Sequence, residues 1–413
     1  MTLVFFYPQF KKLTGAERLI LKLADYTARS LGDSTRVVLL THRLADEVRP
    51  ALGPGVHVVE TGWPMQISGN HYLDAAVEYA FGPALAMRIP RRGLDGIIFF
   101  GPPSVPAMWF TRRLLFRAGW PRVPVLYFCF EPPRFIYRDT DDIVRSLGLV
   151  GALLRPVFAL YRGVDRRMVR TADRVLSNSP FGSRKLWEAY RRRTTVIEHG
   201  VDFPLPEASL VHELRLRYGL QGRQVAVTVN HLHPRKRVDL FLRSVHHAAG
   251  RVPNVTALVV GGGPERENLE RLASDLGMSI GRDVIFTGAV PEAELPAHYA
   301  LGDVYLHTGR EESFGLSVIE ALSLGLPVVA VAEGGPCDTV QDGVSGYLVP
   351  ADETALGEAT AKLLLDRERA QRMGQAGARF VESQFSWEKG TRTLLRVLDR
   401  VKQRLSDCDR TAR

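Results

Sequence analysis

Cysteine is nearly absent. Cys129, Cys337 and Cys408 are the only three in 413 residues, too scattered for a disulfide framework or a zinc knuckle, so a reducing cytoplasm is the expected setting. No apolar run reaches the roughly 18 residues that a membrane span requires. The opening Met1-Thr2-Leu3-Val4-Phe5-Phe6-Tyr7 lacks a basic leader segment and a small-residue cleavage site, and is expected to be a buried first strand. No segment spells G-x-x-x-x-G-K-S/T, and helix-turn-helix, RNP and zinc-finger signatures are missing, which argues against P-loop hydrolysis and nucleic-acid binding. Acidic residues are short in one half only. Residues 1–200 hold 29 Lys and Arg against 17 Asp and Glu, whereas residues 201–413 hold 25 against 28. So basic a half calls for an anionic partner: nucleic acid, a membrane surface or an anionic substrate.

What is present suits two globular domains: 45% hydrophobic and 24% charged residues over a length too great for one ordinary core. Short Val/Ile/Leu/Phe runs alternate with amphipathic stretches from end to end, the pattern of parallel sheets covered by helices. The first series lies at 3–7, 36–41, 56–61, 96–100, 123–129, 174–179 and 194–200. The second begins at Val225 and continues at Thr256, Val284, Val304, Pro327 and Gly346. Between them Val201-Asp-Phe-Pro-Leu-Pro-Glu reads as a linker. The fold class expected is α/β, two Rossmann-like doubly wound domains at 1–203 and 204–413, with ligands beyond the carboxyl ends of the strands and in a cleft between the domains.

The chemistry-bearing residues follow strands. After Val304-Tyr-Leu comes Glu311-Glu312-Ser313-Phe314-Gly315-Leu316-Ser317-Val318-Ile319-Glu320, where Gly315 permits a sharp turn and Leu316 and Ile319 have helical spacing. Glu312 would sit before that helix and Glu320 on it, and the helix N-terminus offers N–H groups to an anion. By themselves the two carboxylates are also compatible with a helix-start charge and an exposed helix position. After the strand ending at Asn230 comes His231-Leu-His-Pro-Arg-Lys-Arg237. Two histidines without a nearby cysteine or carboxylate pair make a poor zinc site. Asp139-Thr-Asp-Asp142 spells D-x-D but follows Arg138 instead of an apolar strand, and a helix cap is the better reading. Gly261-Gly-Gly-Pro264 lacks the third glycine of a dinucleotide fingerprint, since Arg266 holds that position.

Glu312 and Glu320 resemble the E-x7-E motif of the retaining GT-B glycosyltransferases of family 4, and the context agrees from Gly325-Leu-Pro-Val-Val-Ala through Glu333-Gly-Gly-Pro to Gly343-Val-Ser-Gly-Tyr-Leu-Val. Thr14-Gly15-Ala16-Glu17-Arg18 resembles the family's glycine-rich loop, Asn178-Ser179 and His199-Gly200-Val201-Asp202 its interdomain markers, and Phe385-Ser386-Trp387 its closing signature. The resemblance implies a GT-B fold whose last helix returns to the first domain. It also implies transfer of a sugar from a nucleotide-diphosphate donor to an acceptor hydroxyl, without cofactor or metal. It assigns Glu312 to the sugar and its developing positive charge, and Glu320 to the ribose. Arg235 and Lys236 fall to the diphosphate, with Gly15 capping it. The backbones of Phe314, Gly315, Leu316, Gly334 and Gly335 approach sugar and phosphate, and Val290 lies near the base.

Mannosyltransferase-like members look closest, through Glu131-Pro-Pro-Arg134 and Gly334-Gly-Pro-Cys-Asp-Thr-Val340. GDP-mannose is therefore the favoured donor, with Glu131 and Arg134 on the side of a glycan or lipid-linked acceptor. Two departures stand out: Phe130 replaces a histidine of those members, and Asn230 an arginine common in the family. A nucleotide-sugar epimerase or a catalytically reduced binding protein is the alternative. The stretch Trp109-Phe-Thr-Arg-Arg-Leu-Leu-Phe-Arg-Ala-Gly-Trp-Pro-Arg122 interleaves aromatics and arginines as an interfacial helix does, and Leu153-Leu-Arg-Pro-Val-Phe158 is similar. Peripheral attachment to an anionic membrane is one expectation, the core face of a helix the other.

Overall fold

The computed structural model describes residues 1–62, 80–146 and 148–411. The chain divides into two compact units, Met1–Gly200 with Trp387–Arg413, and Val201–Ser386. In the first unit β1 (Thr2–Phe6), β2 (Arg36–Thr41), β3 (Val56–Glu60), β4 (Leu94–Phe100), β5 (Val125–Phe128), β6 (Arg174–Ser177) and β7 (Thr194–Val196) form one sheet in the order β3-β2-β1-β4-β5-β6-β7. Every pairing in it is parallel. Successive side chains leave a strand on opposite faces, so Val4, Phe6, Ile97 and Phe99 enter one core while Leu3, Phe5, Ile98 and Phe100 enter another. This double burial is why the strands read as unbroken apolar runs.

The second unit repeats the plan. Strands β8 (Gln224–Val229), β9 (Val255–Val260), β10 (Val284–Gly288), β11 (Val304–His307), β12 (Val328–Val331) and β13 (Gly346–Val349) order as β10-β9-β8-β11-β12-β13, all parallel. The thirteen runs picked out in the sequence are these thirteen strands. In each unit the strand order reverses beside the first strand, and loops leaving the carboxyl ends there diverge to opposite faces and open a crevice.

The helix Trp387–Thr411 belongs to the first unit, so the second ends at Ser386 and not at residue 413. The reason is its apolar face: Trp387, Leu394, Val397, Leu398 and Val401 are buried in the same core as Leu19, Ile20 and Leu23 of α1 (Gly15–Leu31). The Trp387 indole stacks on Tyr26 at 6.1 Å, and a Cβ on Gly200 would overlap the indole. At the other boundary Val201 and Phe203 pack into the second unit's core, with Phe203 5.9 Å from Tyr299, which moves the division from residue 203 to Gly200. Trp387→Ala is expected to cost about 3–5 kcal/mol of first-unit stability through the lost burial and the cavity, read by chemical denaturation.

The stretch Trp109–Arg122 is largely a core segment. Leu115, Phe116 and Trp120 are buried in the first unit's core, and only Leu114 among its large apolar residues is well exposed. Another helix, α2 (Gly148–Val169), carries an outward apolar stripe instead: Leu153, Val157, Leu160 and Val164, at helical spacing, are 79%, 57%, 70% and 43% exposed. No helix among the described residues is long and apolar enough to cross a membrane.

Candidate active site

Three loops at the carboxyl edge of the second sheet are laced together. The first runs from β8 through a short 3-10 turn, Pro234–Lys236, into α3 (Val238–Ala249). The second runs from β11 into α4 (Leu316–Ser323), and the third follows β12 with Glu333, Gly334 and Gly335. Lys236 Nζ donates to Glu312 Oε1 at 2.5 Å, the Thr308 hydroxyl to the Lys236 carbonyl at 2.8 Å, and the Arg310 amide to the Arg235 carbonyl at 2.8 Å. Arg237 grips Glu333 through two nitrogens, at 2.6 and 3.3 Å. The Gly335 amide closes the triangle by donating to the Glu312 carbonyl at 2.6 Å. The switch point thus gathers Arg235, Lys236, Glu312, Gly334 and Gly335, residues up to 100 positions apart.

Glycine is required at two of these places. Gly334 has φ +75°, and a Cβ on it would strike the Glu312 backbone, while a Cβ on Gly335 would strike the Phe314 carbonyl. Phe314 is itself buried, edge-on to Phe385 at 5.7 Å, and Gly315 takes φ +81° to launch α4. Leu316 is the first residue of α4. The backbone of 314–316 is therefore held from behind by an apolar anchor.

The electrostatics of Glu312 set what the site can do. Its side chain is 15% exposed, and burial pushes the carboxyl up; the charge of Lys236, helped by His307 and Arg235, more than offsets this and holds it down at about 2. It is an anion throughout the physiological range. Behind it His307 is fully buried, 3.8 Å from the carboxylate, and burial lowers its pKa, with Glu312 opposing the shift and Lys236 adding to it. A fixed carboxylate beside two cations can support positive charge on one side and a diphosphate on the other.

Other expected residues lie where their sequence neighbours put them. Glu320 is buried on α4 and accepts a hydrogen bond from Tyr299 at 2.7 Å, so it is not the exposed helix residue that spacing alone allows. Val290 follows β10, at the same sheet edge but beyond β9. Asn230 is buried, its amide donating to Thr228 at 2.8 Å. His231 is exposed. In the first unit Gly15 opens the 17-residue α1, where Thr14 and Glu17 form a capping box. Arg134 is held by Glu131 at 2.8 Å and Asp139 at 3.2 Å, and Arg138 shares Glu131. This ion-pair network engages Asp139 of the D-x-D spelling; the Asp142 side chain lies outside the described residues. Phe130 joins an aromatic ladder with Phe128 and Phe100, at 5.2 and 6.3 Å.

Sequence reasoning missed Arg237, Glu333, His307 and Tyr299. Arg237 ends the basic run and Glu333 opens the Glu-Gly-Gly-Pro motif, so their places were visible and their pairing was not.

The model for glycosyl transferases group 1 matches residues 213–380, and that for glycosyltransferase family 4 matches 13–203. A GDP-mannose-dependent alpha-(1-6)-phosphatidylinositol monomannoside mannosyltransferase of Mycolicibacterium smegmatis is 37% identical over 235 residues, 54% of this chain and 61% of that protein. A D-inositol 3-phosphate glycosyltransferase of Nocardia farcinica is 32% identical over 243 residues, 56% of this chain and 53% of that protein. The matches thus span little more than half of these relatives. Among solved structures, Anabaena HepE in complex with UDP and glucose superposes with a TM-score of 0.71 at 20% identity, over 97% of this chain and 99% of that one. Sucrose-phosphate synthase from Thermosynechococcus elongatus gives 0.75 at 20% identity, over 97% and 98%. Two glycosyltransferase models thus match the chain in tandem over most of its length, the second of them that of family 4, and its two parallel-sheet units have the fold of these GT-B structures.

Proposed function

We propose that this chain transfers mannose from GDP-mannose to a hydroxyl of a lipid-linked or growing glycan, with retention at the anomeric carbon. The observation that carries the reading is the ionised Glu312 clamped against Lys236 at the switch point, together with the GDP-mannose dependence of the 37%-identical relative. In the reaction the bond from sugar C1 to the diphosphate oxygen breaks and the acceptor oxygen bonds to C1. The acceptor proton leaves with the released diphosphate. Arg235 and Lys236 take the charge growing on that leaving group, and Glu312 supports the positive charge at C1. Glu320 holds the ribose, Val290 lies by the base, and the 314–316 and Gly334-Gly335 backbones line sugar and phosphate. Glu131 and Arg134 face the acceptor. Cations already supply the neutralisation, so no metal is invoked.

A thermal-shift series in chelator with GDP-mannose, UDP-glucose and ADP-glucose tests the donor. GDP-mannose at about a hundredfold its Kd is expected to add roughly 2.7 kcal/mol of stability. A larger shift with either other sugar removes the GDP-mannose assignment, and release of nucleotide without acceptor removes transfer.

For a lipid-linked acceptor, we propose that the chain attaches peripherally through the α2 stripe at the cytoplasmic face of an anionic membrane. Vesicle flotation checks this: Leu153→Asp with Leu160→Asp should abolish recovery with anionic vesicles, and undiminished recovery would remove the claim.

A further inference from the structure

At the amino edge of the first sheet, opposite the edge where doubly wound sheets take their ligands, lies a cavity of about 510 Å³. Six arginines line it: Arg112, Arg113, Arg117, Arg122, Arg167 and Arg170. The one carboxylate among the described residues of the lining, Asp173, is already committed. One oxygen accepts from Arg112 at 2.7 Å and the other from the Val125 amide at 2.8 Å, which pins the start of β5. Arg112 is therefore neutralised and fixed. Arg113, Arg117, Arg122, Arg167 and Arg170 are exposed and enter no ion pair among the described residues.

Behind this ring Arg192 spends one nitrogen on the carbonyls of Val169, Arg170 and Ala172. Burial lowers its pKa, and the charges of Arg174 and Arg170 lower it further while Asp173 opposes them. Positive charge is crowded here from both sides. Helix C-termini attract cations, which accounts for Arg167 and Arg170 singly. It does not account for convergence of arginines from two separate segments, 112–122 and 167–170, on one hollow.

We propose that this cavity is a binding site for a multiply charged phosphate group, carried either by a lipid headgroup or by a free phosphate compound. Guanidinium forks match phosphate oxygens two at a time, and several on one anion relieve their mutual repulsion. The volume exceeds that of one phosphate and suits a diphosphate or a headgroup. Phe116 and Leu405 supply an apolar wall. Arg167 lies in the last turn of α2, the helix with the exposed stripe, and Arg170 follows directly after it, so a headgroup can be held where acyl chains would lie against that helix. The site does not depend on the donor assignment.

The test uses inorganic pyrophosphate and isothermal titration in an Arg235→Ala, Lys236→Ala background, so that binding at the second-unit site does not contribute. Adding Arg117→Gln, Arg122→Gln and Arg170→Gln is expected to weaken the remaining binding at least tenfold. All three side chains are exposed and leave the fold intact. Flotation with phosphatidate vesicles separates the sources: for a headgroup, recovery falls with the same triple change and pyrophosphate displaces the protein, whereas for a free phosphate compound only the titration responds. Arg271→Gln, Arg372→Gln and Arg379→Gln, exposed arginines of the second unit, control for diffuse charge. An equal loss with the control triple, or no loss in either assay with the cavity triple, overturns the site.

Discussion

Replacing Glu312 by glutamine is expected to lower kcat on the order of a hundredfold or more while leaving a cooperatively folded protein. A hundredfold corresponds to roughly 2.7 kcal/mol of transition-state stabilisation, the scale for a charge aimed at the reacting centre in a site with little water. Glutamine keeps the shape and can still accept a hydrogen bond from Lys236, so a loss reports charge and not volume. Because the charge at C1 grows only as the bond to the diphosphate breaks, the effect belongs mainly in kcat and little in KM. Steady-state kinetics decides it, and a kcat near wild type would remove Glu312 from the chemistry. Glu320→Gln is a useful contrast: its buried partner Tyr299 can keep a hydrogen bond to the amide oxygen, and the ribose it is assigned to does not change charge.

Lys236→Ala should be as damaging, with a second signature in the pH profile. In the native site Lys236 is the foremost influence holding the Glu312 carboxyl down at about 2 against burial, which pushes the other way. A carboxyl depressed below its unfolded value of about 4.3 stabilises the fold above that value, and the contribution is lost as pH falls through the native pKa. With the ammonium gone, burial dominates and the carboxyl titrates higher. The acid limb of kcat/KM and the acid loss of thermal stability are both expected to move to higher pH, beside a rate loss of about a hundredfold. Profiles that overlay those of the wild type would show that the 2.5 Å contact does not govern Glu312.

The strands were legible because both faces of each sheet are covered, which forces unbroken apolar runs such as Val225-Ala-Val-Thr-Val229 and Thr256-Ala-Leu-Val-Val260. The two glycines at 334 and 335 and the turn at 315 were legible for a related reason: backbone crowding leaves a residue-type signature. Pairings across loops leave none. Nothing about Arg237 says that it reaches Glu333, 96 residues on, or about Glu320 that it meets Tyr299. Those contacts are set by which strands lie side by side. The segment Trp109–Arg122 stayed open between two readings for a different reason, because interleaved aromatic and arginine residues describe both an interfacial helix and one whose aromatics go inward and whose arginines ring a hollow.

The placement of Trp387–Thr411 has a consequence for synthesis. Residues 201–386 form a self-contained unit inserted within one that is discontinuous in sequence. A nascent chain therefore presents all the material of the inserted unit before the first can be completed. Until Trp387, Leu394 and Leu398 emerge, the apolar face of α1 lacks the cover that the helix Trp387–Thr411 gives it in the finished unit. The earliest-made half is the last to be finished, and in the interval its exposed surface is available to chaperones and to other unfinished copies.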